Sequence, residues 1–153
     1  MAVGRPRFEA DRRARDELAS RFFDALRDGD VAAVRELLAA DVQMVGDGGG
    51  KAPAFSRRVV GADNVARVLA TTFPLLLEIR TTVEERPVNA QPGAILRDVN
   101  GGVLGTWALD VEAGRIQVIR AVTNPDKLGH LGPLGDVWAT DREVRRARRV
   151  DRT

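Results

Sequence analysis

Few side chains in this chain are placed to do acid–base chemistry. Asp110 follows Trp107, Ala108 and Leu109 in an apolar run that reads as extended, and Arg120 lies on the next such run. A carboxylate base beside a guanidinium on a sheet is what an isomerase or hydrolase would need. Register decides whether it can act: Trp107 and Leu109 share one face, Ala108 and Asp110 the other. Met44, Trp107, Asp110 and Arg120 are the candidates to line a pocket, with Asp110 as the weak catalytic candidate. The bland alternative, an acid that ends a strand in solvent, is preferred. The chain has no tyrosine, so no phenol is available for an oxyanion hole. Its single histidine, His130, sits in "KLGHLGP" and reads as a surface or partner-contact residue. One histidine without cysteine gives no zinc site.

A second kind of chemistry is suggested by "GDGGGK", Gly46–Lys51. A phosphate loop requires G-x-x-x-x-G-K-[ST] between a strand and a helix. Here Gly46 lies four residues before Gly50 rather than five, and Ala52 stands where a hydroxyl is needed. Pro53 then opposes a helix. No dinucleotide fingerprint is present either. What remains is a loop in which Gly48, Gly49 and Gly50 allow another backbone to approach closely, flanked by the opposite charges of Asp47 and Lys51. Only two of the 24 basic residues are lysines. The other, Lys127, lies in "NPDKL": Asn124, Pro125, Asp126, Lys127 and Leu128. Asn124 precedes proline and stays extended, and Asp126 can form a turn or cap a short helix. Each lysine stands near an aspartate, and Lys51 and Lys127 are expected on one surface near the loop ends of a sheet.

Composition narrows the field. At 153 residues with 44% hydrophobic content, the chain suits one packed domain. The sequence pI near 9.9 accompanies a net charge of only +2, because arginine stays protonated to very high pH. The absence of cysteine excludes a disulfide framework and thiolate chemistry. No apolar run approaches membrane-spanning length, and no signal-type apolar segment follows the N-terminus, so a cytoplasmic location without membrane contact is expected. Arg145, Arg146, Arg148 and Arg149 cluster near the C-terminus, but Asp141, Glu143 and Asp151 dilute them and no aromatic is interleaved. Direct DNA contact is not expected. No motif calls for a cofactor.

The elements that must position these residues follow from periodicity. Residues 8–30 read as a helix with Leu18, Phe22, Ala25 and Leu26 on one face. Gly29 ends it, and Asp30 caps a second helix over 31–41 with Val31, Val34, Leu37 and Leu38 as its apolar face. Val42–Asp47 alternates as a strand. Val59 and Val60 are extended, and a third helix starts near Asp63. Residues 77–89 are rich in β-branched side chains and read as a long strand. "AQPG" turns into a strand at 93–99, Asn100–Gly102 marks a hairpin, and strands follow over 103–111 and 115–124. Helices followed by a meander give an α+β fold, a strongly bent antiparallel sheet closing over three helices as a cone. One domain is expected over 8–132, with a linker remnant at 1–7. The tail, 133–153, is charged and either partly disordered or helical.

Taken in order, "RPRFEA", "GDGGGK", "VNAQPG", "LDVEAGRI" and "NPDKL" resemble the C-terminal SnoaL-like domain of SigJ-type extracytoplasmic-function sigma factors. The resemblance spans roughly residues 5–135. It implies a cone of the nuclear-transport-factor-2 type. It also implies a regulatory role: the domain packs on sigma regions 2 and 4 in cis and on RNA polymerase, modulating transcription initiation. The signature stretches for that control correspond to Asp47, Gly48, Gly49, Gly50 and Lys51, and to Asn124, Pro125, Asp126, Lys127 and Leu128. The sigma regions themselves are absent from these residues. The alternative is a SnoaL-cyclase or ketosteroid-isomerase-like enzyme, or a pocket that senses a small ligand. A homodimer through the sheet is a further expectation for such cones.

Overall fold

The turn at Gly29 and Asp30 sets the first angle of the fold. Gly29 takes φ +66°, a left-handed conformation that a β-carbon disfavours, and it closes helix α1 (Gly4–Asp28). The Asp30 carboxylate then accepts the Ala33 N–H at 3.1 Å and caps helix α2 (Val31–Leu37). The computed structural model describes residues 4–47 and 58–151. Within α1, Leu18, Phe22, Phe23 and Leu26 are buried, whereas every side chain from Glu9 to Glu17 is exposed. The stretch of α1 from Glu9 to Glu17 is therefore a charged helical segment with no buried side chain.

Strand β1 (Leu38–Asp47) follows α2 directly. Leu38, expected to close the apolar face of the second helix, instead opens this strand, so α2 is shorter and β1 longer than periodicity suggested. Strand β2 (Val59–Val60) leads to helix α3 (Ala62–Glu78), which contains Pro74. Pro74 removes an N–H that would bond to the Ala70 carbonyl, yet the helix continues through it because its apolar side is packed: Val65, Leu69, Phe73 and Leu75 are buried. The long strand expected over 77–89 is accordingly reduced to β3 (Thr82–Glu85). Tertiary burial of Leu75 and its helical neighbours outweighs local β propensity. Asn89 and Ala90, at φ +51° and +65°, make the turn that the bridge Val88–Gln91 closes.

Strands β4 (Gly93–Arg97), β5 (Val103–Glu112) and β6 (Arg115–Val122) complete a sheet of order β2-β1-β6-β5-β4-β3. Four of the five strand pairings are antiparallel as expected, but β1 and β6 run parallel, from Leu38 beside Ile116 to Asp47 beside Val122. The sheet is thus mixed. Irregular register within β1, β4 and β5 bends the strands. After β6 the described residues form a short helix α4 (Pro125–Leu128), a 3-10 turn at Gly129–Leu131, and a helix α5 (Val137–Asp151).

Both faces of the sheet are buried, by different partners. On the concave face Met44, Ala94, Trp107, Leu109, Ile119 and Ala121 pack with α1, α2 and α3 in the main core. Trp107 is wedged between two helices, its ring 6.3 Å from Phe23 and 5.6 Å from Phe73, the latter edge-on at 60°. On the convex face Ile95 and Val103 form a second, smaller core with Leu128 of α4, flanked by Val122 and Leu131.

Candidate functional site

The parallel pairing of β1 with β6 brings Asp47, the first residue of one signature stretch, beside the start of the other. The Asp47 carbonyl accepts the Thr123 N–H at 2.8 Å and the Asn124 N–H at 3.0 Å. The Lys127 ammonium reaches the Asp47 carboxylate, Nζ to Oδ2, at 2.5 Å. Residues eighty positions apart in sequence therefore form one charged contact at the end of the sheet. Alternation from buried Val42 and Met44 sends Asp47 to the convex side, where α4 lies. Gly48, Gly49, Gly50 and Lys51 lie outside the described residues, so the structure locates Asp47 and Lys127 but not the expected proximity of the two lysines.

"NPDKL" builds its own platform. Asn124 is buried, and its side-chain oxygen accepts the Asp126 N–H at 3.1 Å, capping α4. Pro125 occupies the first helical position, where its missing N–H costs nothing. Leu128 is 2% exposed and plugs the convex core. Lys127 is the outward member, with its side chain 60% exposed. An ion pair this accessible contributes about 0–1 kcal/mol. Burial of Leu128 contributes more, about 1.5–3 kcal/mol on transfer alone. Position in the motif therefore separates two jobs: Asn124, Pro125 and Leu128 hold the turn, and Lys127 with Asp47 presents charge.

The concave face carries a cavity of about 490 Å³. Its walls are Leu69, Phe73, Leu76, Leu96, Leu104, Trp107 and Ala121, with Gly46, Gly105 and Thr123 from the strand ends. Helix α5 forms the remaining side through Val137, Thr140, Asp141, Val144, Arg145 and Arg148, a single stripe at helical spacing.

Two of the four sequence-derived pocket candidates face elsewhere. Trp107 lines the cavity, as does its cross-strand neighbour Ala121. Ala108 pairs with Arg120, and Asp110 with Val118, so Asp110 and Arg120 belong to the opposite, convex face. Arg120 is exposed and Asp110 half-buried. Neither can serve chemistry in this cavity, because strand alternation turns both away from it. Met44 is fully buried in the core, without cavity exposure. His130 is exposed in the 3-10 turn. Among the described residues no group of His, Cys, Asp and Glu could hold a metal, and no helix is long and apolar enough to cross a membrane.

Sequence reasoning missed the cavity-lining stripe of α5. Its only buried residue is Val144, set among arginines and acids. The available signal was the spacing of Val137, Thr140 and Val144, too sparse to stand out in a charged tail.

Comparison with known proteins matches this architecture. A family model described as the SnoaL-like domain covers residues 19–123. Among solved structures, the extracytoplasmic function sigma factor SigJ of Mycobacterium tuberculosis is similar at 29% identity and a TM-score of 0.63, over 87% of this chain and 50% of that one. This chain thus spans about half the length of that protein. A protein of unknown function with a cystatin-like fold from Methylobium petroleophilum PM1 is similar at 16% identity and a TM-score of 0.53, over 72% of this chain and 75% of that one. A putative ketosteroid isomerase from Kribbella flavida is similar at 21% identity and a TM-score of 0.53, over 73% and 78%. The last two are likenesses of fold alone. No curated protein matches the sequence.

Proposed function

This chain belongs to the SnoaL-like domain family, and on that premise we propose that it is the regulatory domain of an extracytoplasmic-function sigma factor. It modulates transcription initiation by packing on sigma regions 2 and 4 in cis and on RNA polymerase. The observation that carries this reading is the contact between Asp47, the first residue of one signature stretch, and Lys127 of "NPDKL" at one end of the sheet. Likeness to SigJ, at 29% identity over 87% of this chain, supports the same assignment.

The proposed division of labour is physical. The convex core under α4 fixes where Asp47 and Lys127 stand, so the surface is preorganised before a partner arrives. An exposed ion pair costs little to open and can exchange partners. Gly48, Gly49 and Gly50 follow Asp47 in the sequence and carry no side-chain bulk, which suits close packing on another domain.

The enzyme alternative draws no support from Asp110, which faces away from the cavity. A fold shared with a putative ketosteroid isomerase does not supply its chemistry.

The test uses the full-length sigma factor and a reporter promoter. Lys127→Glu sets two acids against each other at the contact, and Gly48, Gly49 and Gly50→Ala stiffens the adjoining stretch. Both are expected to change reporter transcription while the circular dichroism spectrum stays that of the parent. Unchanged transcription from both variants would sink the assignment.

A further inference from the structure

The cavity under α5 has a division of its own. Its floor and walls are aromatic and aliphatic, led by Phe73 and Trp107, while charge enters only from α5. On that helix Asp141 and Arg145 neutralise each other, Oδ2 to Nε at 2.9 Å. Arg148 donates to the Thr72 hydroxyl at 3.1 Å, and among the described residues no carboxylate lies within ion-pair distance of it. Among the described side chains Arg148 is thus the rim arginine with no carboxylate partner, above an apolar chamber whose volume is in the usual range for small-molecule sites, about 300–1,000 Å³.

We infer that this cavity binds an apolar carboxylic acid, with its hydrocarbon body against Phe73 and Trp107 and its carboxylate on Arg148. A guanidinium offers a planar fork matched to a carboxylate. Thr72 stands beside it as a hydroxyl that can hydrogen-bond the same group. Helix α5 is the cover. It is rooted in the sheet, where the Val103 N–H donates to the Pro133 carbonyl at 2.9 Å and the Gly135 N–H to the Val103 carbonyl at 2.8 Å. Beyond that root its contacts include Val137, packed against the main core, the buried Val144, and the bond from Arg148 to Thr72. Most of its side chains are exposed or half-buried, so local opening of α5 without unfolding of the domain is expected. An acid that bridges Arg148 to the chamber fastens α5 in the closed position, since it engages both sides of the mouth. This inference is independent of the sigma-factor assignment, and either can fail alone.

Trp107 makes the binding measurable. With Trp138→Phe it is the only indole in the chain. Octanoate, 1-octanol and octylamine share a tail and differ in head-group charge. Octanoate is expected to shift Trp107 emission with a Kd about tenfold below that of octanol, a difference of about 1.4 kcal/mol, and octylamine to bind more weakly than either. Arg148→Gln is expected to bring octanoate level with octanol while leaving the octanol Kd in place. Arg145→Gln is expected to do less, because Asp141 already engages that charge. Arg148 and Arg145 are exposed, so the fold tolerates both changes. Three results would overturn the inference: no emission change with any of the three probes, equal affinity for acid and alcohol in the parent, or loss of the acid preference on Arg145→Gln but not on Arg148→Gln.

Discussion

The two helices that follow β6 cover opposite faces of one sheet, and they are fastened very differently. Helix α4 arrives on the convex face with a capped N-terminus, a proline at its first position, a buried leucine and an ion pair back to β1. Helix α5 arrives on the concave face with Val144 buried, Val137 half-buried against the core, and a side-chain hydrogen bond from Arg148 to α3. One is a clamp over a filled core; the other is a cover over an unfilled one. Length does not set strength here, since the clamp has four residues and the cover fifteen. What counts is apolar area removed from water per residue ordered.

Breaking the clamp has the largest expected effect. Leu128→Ala leaves a void among Ile95 and Val103 and should lower unfolding free energy by about 2–5 kcal/mol in urea melts. A loss below about 1 kcal/mol would mean that the convex core is no core. Asn124→Ala removes the cap of α4 from a buried position, and a loss of about 0.5–2 kcal/mol is expected by the same measurement. Val144→Asp tests the cover. It should expose α5 amides to hydrogen exchange while amides of β5 and β6 keep their protection, with global stability reduced by about 1 kcal/mol or less, because the side chain already borders an open chamber. Loss of protection throughout the sheet would erase the contrast between the two helices. Smallest is Lys127→Met, worth about 0–1 kcal/mol at low salt and nothing measurable in 1 M NaCl, where exposed charges are screened.

Much of the fold could be read from local signals. Gly29 with Asp30, and Asn100 with the two glycines that follow it, announce turns whose geometry few other residues provide. Local signals fail where burial between distant segments decides. Residues 77–89 read as a long strand, yet α3 passes through Pro74 and runs on to Glu78 because its apolar face is packed. The site was legible in part. Asp47 and the "NPDKL" residues stood out by composition, and their contact depends on a parallel pairing that no spacing reveals. Asp110 and Arg120 were plausible only until register turned them outward. The α5 stripe was hidden because its few apolar positions sit among many arginines and acids, which made the segment read as a solvated, charged tail.

One contact at the root of α5 has a mechanical consequence. A β-carbon on Gly102 would come within 2.7 Å of the Gly135 backbone, so the β4–β5 hairpin and the start of α5 touch with no side chain between them. The helix that leaves this point has fifteen residues, which at 1.5 Å each make a lever about 22 Å long. A rotation of about 10° at the root then sweeps the far end through roughly 4 Å, comparable to the width of an alkyl chain. The glycine pair thus acts as a fulcrum: a sub-ångström displacement of the hairpin is multiplied along the arm into passage or blockage at its tip.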